Sequence, residues 1–169
     1  MKQLTKLGVL VVAFAAMLPM TARAQNGLSG TLRTTSGGSM AVADMRGRVV
    51  VLFFGGIVDP QSPEELPFLA RLATKYQGKN VEVHWVSLDP ASTTDAELGT
   101  FAAKNGFKGS ILRDSGDVLR SAGTGKRPQL PTIVVLDPNG AIAGRPLGGF
   151  DRDVDFVSRL SAIIDPLMK

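Results

Sequence analysis

The stretch Arg48-Val-Val-Val-Leu-Phe-Phe-Gly-Gly-Ile-Val-Asp-Pro-Gln-Ser62 decides the fold of this chain. Its first half, up to Phe54, is a continuous apolar run rich in β-branched residues, which is typical of a buried parallel strand. The run passes through Gly55-Gly56 and a polar turn into a segment with apolar residues at three- and four-residue spacing. The stretch therefore predicts a buried strand, a turn and an amphipathic helix in direct succession.

The polar turn carries Asp59 and Ser62 just before the predicted helix. Ser62 and Glu65 match a Ser-x-x-Glu capping box, and Pro63 suits the first helical position, so we expect Ser62 to cap the helix. Asp59 is expected to be a turn residue that the helix dipole stabilises. The alternative is that Asp59 is a new acid, base or nucleophile, although a carboxylate stabilised in this way is a poor base.

Further strands and helices follow this unit at short intervals. Their order predicts an α/β fold with a central mixed β-sheet flanked by helices. The further elements predicted are a hairpin turning at Gly37-Gly38, strands at 81–88, 110–113, 132–136 and 141–145, and helices at 94–105, 117–122 and 152–168.

Residues 1–24 have the pattern of a secretory signal peptide. A positive start precedes an apolar stretch from Leu7 to Met20, and Ala22-Arg23-Ala24 is a small-x-small cleavage site. The apolar stretch is short for a membrane span. We therefore expect one mature domain over residues 25–169, in the periplasm or secreted, with no stable membrane anchor after cleavage.

The basic charge of the whole chain arises from the predicted signal peptide. The chain carries 19 Lys and Arg against 15 Asp and Glu. Lys2, Lys6 and Arg23 lie in the signal peptide, which has no acidic residue, so the mature chain keeps 16 cations against 15 acids. A nearly neutral domain gives no indication of nucleic-acid binding.

The turn and its flanks resemble those of the secreted thioredoxin-like proteins of the TlpA type. In that family the strand runs into Phe-Trp-Ala-x-Trp-Cys-x-x-Cys, and the helix has a proline five residues after the second cysteine. Aligning Phe54 and Pro67 with this pattern needs no gap and puts Asp59 and Ser62 at the two cysteine positions. The chain has no cysteine, whereas thiol–disulfide exchange needs a thiolate. Dithiol oxidoreductase and peroxidase chemistry is therefore excluded.

The resemblance also assigns a second part of the site, Leu130-Pro131-Thr132. It implies that Pro131 is cis and lies beside the turn, with the backbone of Leu130 as an exposed edge. Such an edge could bind an extended peptide by strand addition. The alternative is that Pro131 is retained only because the fold requires a proline at this position. The candidate groove residues are Pro60, Gln61, Leu130, Pro131 and Thr132.

The function expected from these features is non-catalytic binding or assembly of an extended peptide or an envelope protein, by a monomer without a cofactor. No metal site is expected, because the only histidine, His84, lies in a strand that should be covered on both faces. One alternative is an enzyme that reuses the Asp59–Ser62 turn without thiols, and a closed pocket around Asp59 would favour it. Another is a structural envelope subunit, which should expose a large apolar patch.

Overall fold

The computed structural model describes residues 27–125, 127–149 and 156–168. The predicted signal peptide, residues 1–24, lies outside these residues, as does the predicted start of the last helix at 152–155. Within the described ranges, no helix combines the length and the apolar character needed to cross a membrane.

One mixed sheet of seven strands forms the centre of the described part of the chain. Its order is β2-β1-β5-β4-β3-β6-β7. Central β3 runs parallel to β4 and antiparallel to β6, while β4 also pairs in parallel with β5. The strands are β1 (Thr31–Thr34), β2 (Ser39–Ala41), β3 (Val49–Gly55), β4 (Val81–Ser87), β5 (Ser110–Arg113), β6 (Thr132–Leu136) and β7 (Leu147–Gly148).

Helices cover both faces of the sheet, as the continuous apolar character of β3 predicts. Val49, Val51 and Phe53 pack with the apolar residues of the longer helices, and the alternate residues of β3 pack on the opposite face with those of the shorter ones. The helices are α1 (Ser62–Tyr76), α2 (Asp95–Lys104), α3 (Asp117–Ser121) and α4 (Phe156–Ile164), with short 3-10 helices at Val42–Met45 and Asp165–Met168. The fold is the α/β arrangement expected from the sequence.

The return strand predicted at 141–145 is wrong. Only Ile142 bridges to Leu136, because the chain bends at Gly144, whose φ is 82°. Pairing with β6 resumes at Leu147–Gly148, which form β7. This second segment brings the chain back beside the start of β6.

Candidate functional site

Asp59 organises the turn between β3 and α1. Its Oδ1 accepts hydrogen bonds from the backbone N–H groups of Gln61 and Ser62, at 3.1 and 2.7 Å. Its Oδ2 accepts a third bond from the N–H of Gly56 at 2.7 Å. The Gln61 and Ser62 amides lie at the N-terminus of α1, where the first amides have no partner within the helix and a negative charge is favoured by the helix dipole. Asp59 therefore caps α1.

The prediction that Ser62 caps the helix is wrong. Ser62 is the first residue of α1, and no side-chain capping bond forms from the residue before it, Gln61. The Ser62 side chain is instead buried against the end of β3, with 2% of the residue exposed and no hydrogen-bond partner for its Oγ. A Cβ atom on Gly55 would lie only 2.1 Å from that Oγ. Glycine at position 55 is what allows this packing.

A second carboxylate, that of Asp89, holds the first half of the turn. Its Oδ2 accepts from the N–H of Ile57 at 3.0 Å and from the hydroxyl of Ser87 at 2.8 Å, and its Oδ1 accepts from the N–H of Val58 at 3.1 Å. Asp89 is 7% exposed. The sequence analysis assigned no role to Asp89, which directly follows the strand predicted at 81–88. Its position after a buried parallel strand was the signal that it lies beside the end of β3.

Glycine at position 56 permits the close approach of the turn to Asp89. A Cβ atom there would lie 2.5 Å from Asp89 Oδ1. Together, the two carboxylates accept all of the backbone amide bonds described for residues 56–58, 61 and 62. Five backbone N–H groups of the turn are thus bonded to side chains of this chain.

The outer surface of the turn is open and apolar. Val58 is 68% exposed, and the neighbouring Pro60 and Gln61 are exposed as well. Asp59 itself is half-buried, and both of its oxygens are engaged by backbone amides. This geometry suits a helix cap better than an acid or base in a closed pocket.

The loop before β6 lies directly beside this turn. Thr132 is the register partner of Phe54, so the preceding residues run alongside Gly55 and the turn that follows it. The Leu130–Pro131 peptide bond is cis, and the hydroxyl of Thr132 donates to the carbonyl oxygen of Gln129. Leu130 is half-buried. Within the described part of the chain, neither its N–H nor its C=O takes part in a hydrogen bond.

A third segment, the end of β7, meets the turn and the Pro131 loop. A Cβ atom on Gly149 would lie 3.0 Å from Glu65 Oε1, 3.2 Å from Gln61 Oε1 and 3.2 Å from Pro131 Cδ. The first helical turn, the Pro131 loop and residue 149 are therefore in contact. Glu65 is 6% exposed and was assigned by sequence reasoning only to the capping box. The structure thus brings Gln61 and Pro131 together and adds Glu65 to them.

His84 lies apart from this site, within β4. It is 4% exposed, its Nε2 lies 3.1 Å from Glu82 Oε2, and its Nδ1 is buried without a hydrogen-bond partner. Its hydrogen-bond partner is therefore a side chain of the same strand. Burial lowers the pKa of His84 from its ordinary value, and the nearby Glu82 carboxylate partly opposes this effect. Among the described residues, no group of three or more His, Asp or Glu side chains is placed to hold a metal ion.

Comparison with known proteins places the fold and the turn in context. Thiol-disulfide oxidoreductase ResA of Bacillus thuringiensis is 29% identical over 113 residues, which cover 66% of this chain. The matched region spans 62% of the length of that relative.

Solved structures match over more of the chain. A protein of Chlorobium tepidum described as a thiol:disulfide interchange protein DsbE superposes with a TM-score of 0.70 and 21% identity, covering 86% of this chain and 97% of its own. A secreted disulfide oxidoreductase of Mycobacterium tuberculosis superposes with a TM-score of 0.62 and 21% identity, covering 80% and 96% of the two chains. At this identity, these two matches establish the thioredoxin-like fold.

The model of the AhpC/TSA family matches residues 25–145, which include the turn, the Pro131 loop and the strands that carry them. The relatives are thiol-disulfide oxidoreductases, whereas this chain has no cysteine anywhere. The chain therefore belongs to the AhpC/TSA family of thioredoxin-like redoxins, as a member without cysteine.

Proposed function

We propose that this protein is a non-catalytic binding factor that holds an extended peptide segment of a partner along the loop before β6. The observation that carries the proposal is the unpaired backbone of Leu130. Its N–H and C=O make no hydrogen bond within the described part of the chain, although they lie beside the paired residues of β6. One donor and one acceptor at a single residue are what an added strand requires.

The surroundings of Leu130 support this role. In the turn next to it, the carboxylates of Asp59 and Asp89 accept from five backbone N–H groups, which leaves those groups unavailable to a ligand. The turn presents the apolar side chain of Val58 to solvent. A backbone edge next to an exposed apolar side chain gives a peptide both hydrogen bonds and an apolar contact.

The alternatives have weaker support. An enzyme working through Asp59 would need a carboxylate free to exchange a proton, and both oxygens of Asp59 accept backbone amide bonds. A structural subunit should carry a broad apolar patch. Among the described residues, the exposed large apolar side chains are Val58, Phe68 and Met168, and they come from separate elements.

We place this activity in the bacterial envelope, with the mature protein acting as a monomer. The signal-peptide pattern of residues 1–24 supports export. The Mycobacterium tuberculosis protein that shares the fold is itself described as secreted. A location outside the cytoplasm would bring the Leu130 edge into contact with exported chains before they fold.

The test is a selection of linear peptides from a random display library on the full chain, followed by N-methylation of each peptide bond of a selected peptide in turn. In strand addition, alternate residues of the peptide pair with the edge. N-methylation of the residue that pairs with Leu130 should abolish binding, while N-methylation of the next residue should leave it nearly intact. The NMR signal of the Leu130 amide should shift and become protected from solvent exchange.

Two results would contradict the proposal. One is a library that yields no binder. The other is a binder that tolerates N-methylation at every position and leaves the Leu130 amide unchanged, because such a peptide would be held by side chains alone.

A further inference from the structure

A groove with a volume of about 480 Å³ opens beside Leu130, whose backbone is unpaired within the described part of the chain. It lies where β4 and β5 end, between those strand ends and α3. Its apolar walls are formed by Leu88, Pro90, Leu119, Pro128 and Leu130. A peptide residue paired with Leu130, or its neighbour, would direct a side chain to this groove.

Two carboxylates also line the groove. Asp89 is 7% exposed and Asp114 is 8% exposed. Asp114 accepts hydrogen bonds from the N–H groups of Val118 and Leu119, at 3.2 and 2.9 Å, just as Asp89 accepts from the turn. These donors are neutral, so they stabilise the carboxylates without cancelling their charge. Among the described residues, neither carboxylate forms an ion pair.

Among the described residues, the cations that line the groove or donate to its walls have acidic partners. Arg120 lines the groove but is paired with Asp117 on the same helix. Arg113 donates to the carbonyl oxygens of the residues that follow β4 and is paired with Asp95, at 3.1 Å. Arg33 shares that same carboxylate. Among the described residues that line the groove, Asp89 and Asp114 are therefore the charged side chains without an ion-pair partner.

We infer that this groove accepts a lysine or arginine side chain of the extended peptide, and this inference rests on the proposed function. The aliphatic stem of such a side chain packs on the apolar walls, and its cationic head reaches the carboxylates. An apolar side chain would remove water from two carboxylates without replacing its hydrogen bonds, which is unfavourable. An acidic side chain would add a like charge. The partner class is thus an unfolded or extended segment with a basic residue.

The test uses the full chain and a peptide selected from the display library. The residue directed to the groove is varied among lysine, norleucine, glutamate and glycine, and the dissociation constant of each peptide is measured. Norleucine keeps the aliphatic stem of lysine and removes only its charge. We expect lysine to bind about tenfold more tightly than norleucine at low salt, with the difference shrinking as salt screens the charge.

Two variants locate the effect in the groove. Asp114→Asn keeps the size and one acceptor oxygen of the side chain, and it should reduce the lysine-to-norleucine ratio at least threefold, or by about half a log unit. Asp44→Asn removes the same charge from an exposed position on the first 3-10 helix and should leave the ratio unchanged. Ala91→Phe fills the groove from an exposed position and should also remove the preference.

The outcomes separate this inference from the proposed function. If peptides bind but norleucine equals or exceeds lysine, the assignment of the groove is wrong and strand addition stands. The assignment is also wrong if both asparagine variants lower the ratio equally, because the charge effect would then be long-range. If no peptide binds, the proposed function fails and the inference fails with it.

Discussion

Alanine substitution at Asp59 and at Ser62 should change stability very differently, although the sequence comparison predicts that both residues occupy the cysteine positions of the TlpA-type pattern. Asp59 accepts three backbone amide bonds at 2.7–3.1 Å and caps a helix of 15 residues. Ser62 buries a hydroxyl that has no hydrogen-bond partner. Asp59→Ala should therefore destabilise the protein, and Ser62→Ala should be neutral or stabilising.

The magnitude for Asp59 follows from what the substitution removes. Loss of a helix cap costs typically about 1 kcal/mol, and the third bond, to the Gly56 amide, adds about 1 kcal/mol because its acceptor is charged. The free energy of unfolding should fall by about 2 kcal/mol, which lowers the melting temperature of a domain of this size by about 4–8 °C. Ser62→Ala removes the penalty of a buried, unbonded hydroxyl and should raise the free energy of unfolding by up to about 1 kcal/mol.

Urea denaturation of wild type and both variants, followed by circular dichroism, measures these differences, and equal m-values would confirm that they reflect stability alone. Asp59→Asn is the matched control, because it keeps the shape and one acceptor oxygen while removing the charge. The free energy of unfolding of Asp59→Asn should lie between those of wild type and Asp59→Ala. The reasoning is refuted if Ser62→Ala costs more than about 1 kcal/mol while Asp59→Ala costs nothing, since Ser62 would then be the cap.

Three further changes give expected results. Burial lowers the pKa of His84 below its ordinary 6.5, so acidification protonates the unfolded chain first and lowers the free energy of unfolding. Urea titrations at about pH 7.5 and about pH 5.5 should show this fall in the free energy of unfolding, and His84→Gln should reduce it. An equal fall in the variant would show that His84 is not the group responsible. The double variant Asp59→Cys, Ser62→Cys should form an intramolecular disulfide, because the side chain at position 59 reaches within 2.7 Å of the amide of residue 62. Mass spectrometry detects the bond, and a folded variant with two free thiols would contradict the alignment of these residues with the family's two cysteines. Gly56→Ala should destabilise the turn, since its methyl group would lie 2.5 Å from a carboxylate oxygen of Asp89. Gly99→Ala has open space around it in a helix and should raise the free energy of unfolding by about 0.5–1 kcal/mol. The melting temperatures of the two variants should therefore shift in opposite directions.

Local patterns in the sequence predicted the elements that depend on neighbouring residues. The Thr94–Glu97 capping box is present, with the Glu97 N–H donating to Thr94 Oγ1 at 3.2 Å and the Thr94 N–H donating to Glu97 Oε2 at 2.6 Å. The buried strand β3 also follows from its own composition. Such features need no knowledge of the rest of the chain.

The features that sequence reasoning missed depend on contacts between distant segments. Ser62 and Glu65 match a capping box as well as Thr94 and Glu97 do, but packing against β3 buries the Ser62 side chain, and Asp59 takes its place as cap. Asp89 reaches the turn from 31 residues away in the sequence, because parallel pairing aligns the ends of β3 and β4. The spacing of residues along the sequence does not predict such a contact.

Because the group that caps α1 is a carboxylate, neither the covalent bonds nor the charge at this position depends on the redox potential. A dithiol at these positions would alternate between thiolate and disulfide as the surrounding redox potential changed, and its surface would change with it. Asp59 has no oxidised form within that range, and its two oxygens hold the same amides in oxidising and reducing surroundings. A partner bound beside this turn would therefore be retained or released independently of the oxidants and reductants that act on a dithiol.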